Sequence, residues 1–256
     1  MLRTRVIPCL LLKGKGLVKT TGFKNEVYVG DPINAVRIFN QMEVDELFLL
    51  DIDATARQSG INFELLEQVA SECFMPICYG GGVSSLKDYE RLFTLGVEKV
   101  SVSHAFFNQP ELVKAAVSRF GSQSIVLTLD IKRHWLTKKM FACTHNGRRK
   151  RPEALHQILE LAQELGVGEI VVNSIDRDGT WAGFDRELIQ TVSSRVSVPV
   201  VALGGAGKLE DIKDVVDGAG ASAVGIGSMA VFQGKGLGVL IKFPKMAELD
   251  ELLGGK

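Results

Sequence analysis

The strongest constraint on the fold is an alternation that runs the length of the 256-residue chain, in which eight short apolar runs are separated by amphipathic stretches. The runs lie at 6–12, 46–52, 75–80, 98–103, 124–130, 169–175, 198–204 and 221–227. Most are continuously apolar, the pattern of parallel strands covered on both faces. Helical periodicity occupies 31–42, 61–73, 84–95, 109–120, 152–165, 185–195 and 208–219. Asp31-Pro32 reads as an N-cap followed by the first helical residue, and Gly96, Gly121 and Gly166 close other helices. Eight strand–helix units in about 250 residues predict an α/β fold, a (β/α)8 TIM barrel. The whole chain, 1–256, reads as one such domain. No G-x-G-x-x-G follows the first run, which argues against a doubly wound sheet. The stretch 132–150 has no helical period and predicts a hairpin-like insertion after strand five, with Asn146-Gly147 near its turn. A solvated basic loop is the plainer alternative there.

The chain also repeats itself. Residues 80–105 align without gaps on the segment that starts at Gly204, an offset that places Gly80-Gly81 on Gly204-Gly205, Gly96 on Gly220 and Ser103-His104 on Gly227-Ser228. Cys9-Leu10-Leu11-Leu12-Lys13 aligns on Thr128-Leu129-Asp130-Ile131-Lys132. Two half-barrels, about 1–122 and 123–256, follow, with two similar ligand subsites related by a pseudo-twofold axis. The glycine turns at 80–82 and 204–207 each follow a strand and precede a helix, where backbone N–H groups can face an anion. Glycines that merely permit tight turns are the simpler reading. The symmetry of two such turns, together with Gly227-Ser228 after strand eight, favours phosphate at both ends of a long substrate.

Thirty basic and thirty acidic residues cancel, so the basic excess of a nucleic-acid binder is missing. No apolar run approaches the roughly 18–20 residues of a membrane span, and the N-terminus has too short an apolar core for a signal peptide. The four cysteines have no C-x-x-C spacing, and the scattered histidines suggest no metal site. The expectation is a cytoplasmic protein with reduced thiols, no metal, no cofactor, and neither a nucleic-acid nor a membrane partner.

Specific motifs resemble the cyclase subunit of imidazole glycerol phosphate synthase. They include Gly30-Asp31-Pro32, Leu50-Asp51-Ile52, Gly80-Gly81-Gly82, Phe120-Gly121-Ser122-Gln123, Asp130-x-Lys132-Arg133, Gly204-Gly205-Ala206-Gly207 and, most specific, Ser174-Ile175-Asp176-Arg177-Asp178-Gly179-Thr180. The resemblance covers nearly the whole chain. It implies a barrel partnered by a glutaminase, whose ammonia crosses the barrel to a phosphorylated small-molecule ligand at the strand C-termini. It also implies two aspartates as general acid and base. One matches Asp130. The other belongs in strand one, where this chain has Leu11, and the internal repeat aligns that same Leu11 on Asp130. Lys19, Gly82, Ser103, His104, Asp178, Gly179, Gly205, Gly227 and Ser228 take the ligand- and phosphate-binding positions. The family's Asn-Thr pair is replaced by Ser103-His104, and Leu203 stands where a small hydroxyl residue is usual.

Arg5, Glu46, Lys99 and Glu169 each immediately precede an apolar run, so all four should ring the N-terminal mouth. The resemblance makes them an ammonia gate beside the glutaminase docking surface; a structural ion cluster is the alternative. With the gate kept and one aspartate lost, the reading is a specialised paralogue of the cyclase. It passes ammonia towards an acetamidino group on a nucleotide-linked sugar for surface polysaccharide, with a separate sugar amidotransferase as a further partner and its own enzymatic activity open. The opening Met1-Leu2-Arg3-x-Arg5-x-Ile7-Pro8-Cys9-Leu10-Leu11-Leu12 and the region Val231-Phe232-x-Gly234 to Val239-Leu240-Ile241 resemble that branch. The alternative is the histidine-pathway cyclase itself, a lyase. A lone two-aspartate barrel isomerase fits least, since it too would lack its strand-one aspartate and needs no gate.

Overall fold

The computed structural model describes residues 4–254, so Met1-Leu2-Arg3 and the last two positions of the second half lie outside it. The eight apolar runs form eight strands: β1 (Arg5–Lys13), β2 (Leu47–Asp51), β3 (Ile77–Gly80), β4 (Lys99–Val102), β5 (Ile125–Arg133), β6 (Glu169–Ser174), β7 (Val200–Leu203) and β8 (Ala223–Ile226). Each pairs in parallel with the next, and β8 returns to β1 through Arg5↔Ala223 to Pro8↔Ile226. The ring is a closed (β/α)8 TIM barrel. Closure leaves no sheet edge among the eight, and burial on both faces explains why the runs are continuously apolar.

Seven helices stand between or after the strands where the period predicts them: Pro32–Gln41, Phe63–Glu72, Leu86–Thr94, Pro110–Phe120, Leu155–Leu165, Arg186–Ser193 and Leu209–Ala219. Their ends follow from local chemistry. Asp31, Asn62 and Asp185 cap three N-termini through their carboxyl or amide oxygens, and Ser85 with Asp88 forms a capping box on a fourth. Asp185 does more than cap. It accepts from Leu188 N at 3.1 Å and takes both Nε and Nη2 of Arg133 at 2.9 Å, tying the end of β5 to the helix after β6. Asp185→Ala should therefore cost about 1–2 kcal/mol in thermal unfolding, more than a cap alone.

Two cores result. The larger lies between sheet and helices and includes fully buried Phe39, Tyr89 and Phe106. The smaller fills the barrel lumen with Ile7, Phe48, Cys78, Val126, Val171, Val201 and Ala223, and reaches Cys9, Leu11 and Leu203 towards the upper end.

Four features differ from the sequence reading. β5 runs on to Arg133, and the insertion makes two turns rather than one. Residues 134–139 link β5 to strand Met140–Thr144, and Asn146-Gly147 lies in a second turn leading to Arg149–Lys150. A matching hairpin after β1, Gly16–Thr21 with Lys24–Gly30, pairs through Leu11↔Val18 and has no counterpart in the apolar pattern, because most of its outer arm is exposed. The gapless repeat slips by one residue. Asp88 and Asp211 do the same capping work at an offset one shorter than that of the glycine turns, and an extra residue before Gly220 restores the register. Short helical turns Ala54–Arg57, His104–Asn108 and Ser228–Val231, and a terminal helix Met246–Leu253, also escape the periodicity, being too brief or too peripheral to carry it.

Candidate functional site

The C-terminal ends of the strands open into a cleft between the two hairpins. Asp130 reaches it from β5, and Asn173, its register partner in β6, donates from Nδ2 to Asp130 Oδ1 at 3.0 Å. Burial pushes the Asp130 carboxyl up to about 7, the charge of Asp178 adds to the rise, and the Asn173 hydrogen bond opposes it. A carboxyl poised near neutrality can take or give a proton at working pH. Across the ring, β1 presents Leu11 to the same cleft, packed with Cys9 and Leu203. Leucine thus stands in β1 at the position across the ring from Asp130, where a two-sided proton transfer would place its second acid or base.

The hairpin after β1 supplies Lys19. Its Nζ meets Asp178 Oδ1 at 3.2 Å, while Thr20 Oγ1 donates to Asp178 Oδ2 at 2.8 Å. Lys19 and Asp178 are both nearly fully buried. Lys19 stretches across to the end of β8, where a Cβ on Gly227 would sit 2.6 Å from its ammonium, so glycine is required for the lysine to lie there. Gly179, at φ +69°, likewise lets the hairpin backbone in: a Cβ there would stand 2.3 Å from Thr20 O. Gly205 follows β7, Gly227 and Ser228 follow β8, and none of the three lines the cleft itself.

On the other half, Gly81 and Gly205 adopt φ of +116° and +114°, the equivalence the repeat proposes. Gly82, Ser103 and His104 line the cleft there. Facing them is the second turn of the β5 insertion, with Asn146 Nδ2 donating to Ile52 O at 2.8 Å. His104 and His145 meet edge to face with centroids 4.8 Å apart.

At the opposite mouth, Arg5, Glu46, Lys99 and Glu169 come together. Arg5 bridges both carboxylates, and Lys99 Nζ lies 2.9 Å from Glu46 Oε1 and 3.0 Å from Glu169 Oε2. Burial opposes the charge on Arg5 and Lys99, yet the two carboxylates hold both pKa values above their ordinary range. Two cations against two buried anions close the barrel floor with a balanced cluster. Among the described residues no group of three or more His, Cys, Asp or Glu side chains could hold a metal ion, and no helix is long and apolar enough to cross a membrane.

Comparison with known proteins places this geometry. Residues 5–236 match the family described as Histidine biosynthesis protein. The chain belongs to that family. Within it, the chain is 50% identical over 251 residues to a Pseudomonas aeruginosa protein provisionally named imidazole glycerol phosphate synthase subunit hisF2, covering 98% of this chain and 99% of that one. A Leptospira borgpetersenii protein with a similarly provisional name is 43% identical over 252 residues, again at 98% and 99% coverage. Imidazole glycerol phosphate synthase subunit HisF of Thermobifida fusca is 40% identical over 227 residues, covering 87% of this chain and 88% of that protein. This member of the family is a HisF-like cyclase-type barrel.

Several cleft residues escape the sequence reading. Asn173 had a signal: it shares the inward face with Glu169 and Val171 at period two, and is polar in an apolar strand. Thr20, His145 and Arg148 had none, because their place depends on hairpins that fold back over the barrel.

Proposed function

We propose that this chain is the barrel subunit of a glutamine-dependent amidotransferase pair. It accepts ammonia from a glutaminase docked at the N-terminal mouth and passes it to a phosphorylated acceptor in the C-terminal cleft. Leu11 carries the reading: the cleft keeps Asp130, but β1 offers leucine where the second carboxyl of the ring-closing proton transfers would stand. The intact floor cluster supports the ammonia route, with Arg5, Glu46, Lys99 and Glu169 as its gate. The provisionally named relatives align over 98% of the chain or more, whereas the HisF proteins align over 87–88%. That difference favours a paralogue branch whose acceptor differs. The acceptor is a nucleotide-linked sugar that gains an acetamidino group for surface polysaccharide, with a separate sugar amidotransferase completing the chemistry. Lys19, Asp178, Gly179, Gly205, Gly227 and Ser228 hold one phosphate end of the ligand, and Gly82, Ser103 and His104 the other.

Glu46→Gln is expected to cut glutamine-driven product formation at least several-fold while sparing ammonia-driven formation. Equal loss of both would remove the gate from the proposal. The decisive assay is ammonia-driven turnover of the aminoimidazole ribonucleotide by the isolated chain at high pH. No turnover is expected; robust turnover would establish the second reading, an orthodox histidine-pathway cyclase, which the family match supports. Leu11→Asp is expected to raise cyclase turnover above the wild-type level, read in the same assay. An unchanged rate would show that Leu203 and the Ser103-His104 subsite also stand in the way.

A further inference from the structure

The β5 insertion places a second imidazole and an arginine at the cleft mouth, beside residues already assigned to ligand binding. His145 and Arg148 line the same cleft as His104, and the Asn146 hydrogen bond to Ile52 O fixes the turn that carries them. His145 and Asn146 hold φ of +54° and +57°, a conformation that costs non-glycine residues energy and here aims the imidazole inward.

The two histidines are not equivalent. Asn108 Nδ2 donates to the backbone O of His104 at 2.8 Å, which fixes the amide orientation, and the same Nδ2 lies 3.2 Å from His104 Nδ1. An amide nitrogen only donates, so His104 Nδ1 must accept and its proton sits on Nε2. Protonating Nδ1 would set donor against donor. His104 is therefore a fixed neutral N–H donor, and burial with the charges of Arg149 and Arg151 holds its pKa below the ordinary value. His145 Nδ1 instead faces Thr144 Oγ1 at 3.1 Å, a hydroxyl that can rotate to donate or accept. Burial and the charge of Arg149 hold its pKa down as well, but nothing in its hydrogen bonding blocks a second proton. The carboxylates on the cleft wall nearest the mouth are engaged elsewhere: Glu26 pairs with Lys13, and Asp51 accepts from the N–H groups of Asp53 and Ala54. Among the described residues, Arg148 and the two imidazoles at the mouth are thus left without a carboxylate as a hydrogen-bond or ion-pair partner.

We propose that His145 and Arg148, with the fixed Nε2–H of His104, form a recognition site for a dianionic phosphoryl group, and that His145 takes up a proton as the group binds. This rests on the reading that the acceptor is phosphorylated. It adds that the insertion after β5 selects the acceptor by charge. Because the bound dianion raises the His145 pKa, binding is strongest between the second ionisation of the phosphoryl group, at about 6, and the raised His145 value, and it weakens as pH rises through that value.

The chain has four histidines, so their ring signals can be followed individually by NMR in the full chain. Orthophosphate is the probe, titrated from about pH 5 to about pH 8. The expected result is an apparent His145 pKa raised by about one unit or more, with His104 remaining neutral and only its Nε2–H signal moving. His134 and His156 should be unaffected, and acetate should not reproduce the shift. Arg148→Ala should weaken phosphate binding about tenfold. A His145 pKa unmoved by phosphate, while amides at Gly82 and Ser103 respond, would overturn this site and leave the phosphorylated acceptor standing. No response anywhere in the cleft would overturn that broader reading too. An acetate shift equal to that of phosphate would overturn selection for the dianion.

Discussion

Asp130→Asn is expected to lower acceptor amidation by the complete, glutaminase-bound complex by about two to four orders of magnitude at saturating acceptor, the usual cost of losing a general base or acid. Its environment makes a second reading independent of any assay substrate. The folded-state carboxyl titrates near 7 against an ordinary value of 3.8. Between those two values the folded protein keeps a proton that the unfolded chain has released, so stability falls as pH rises through the window. Asparagine removes that dependence and can still accept from Asn173. The variant should therefore melt several degrees higher than wild type at pH values above about 7, with the gain shrinking towards zero near pH 4. A wild-type rate that rises through neutrality, and a flat profile in the variant, would assign Asp130 as the base. An unchanged rate with the Tm shift intact would reduce the barrel to a conduit.

Lys99→Met carries the largest stability effect. Glu46 and Glu169 have side chains only 4% and 5% exposed and share two cations; the substitution leaves both on Arg5 alone. Breaking a buried charge cluster from one side costs about 3 kcal/mol or more. For a chain of this length that is a Tm loss of about 6–12 °C. Adding Glu46→Gln to Lys99→Met should restore most of the loss, since it removes the stranded charge. Additive losses in the double variant would show that the four residues do not act as one cluster. Both variants can be read by thermal melts.

Much of the candidate site was legible because local rules carry it. Arg5, Lys99 and Glu169 open their strands and Glu46 immediately precedes β2, so one position in the pleat puts four charges on one rim once the sheet closes. Leu11 was legible as the counterpart of Asp130 because the chain repeats. Gly227 and Gly179 are less simple. Reading them as phosphate contacts overlooks the packing that also demands glycine, the approach of Lys19 and of the Thr20 carbonyl. Both partners come from the inner arm of a hairpin, Gly16–Thr21, which is mostly buried but too short and too polar to carry an apolar signature, and its outer arm is largely exposed.

The sequence alone determined the number, order and parallel sense of the barrel strands, the charged rim, and the missing carboxyl in β1. These depend on spacings of two and 3.6 residues and on which residue starts each run, all properties of neighbouring positions. Only the tertiary structure decided what surrounds the surviving carboxyl. Lys19 finds Asp178 across 159 residues of chain, Asn146 finds Ile52 across 94, and Asn173 finds Asp130 across 43. Such contacts depend on ring closure and strand register, which bring remote side chains within about 3 Å and exclude the water that would otherwise solvate them. The near-neutral Asp130 and the His104–His145 pair exist only through that burial.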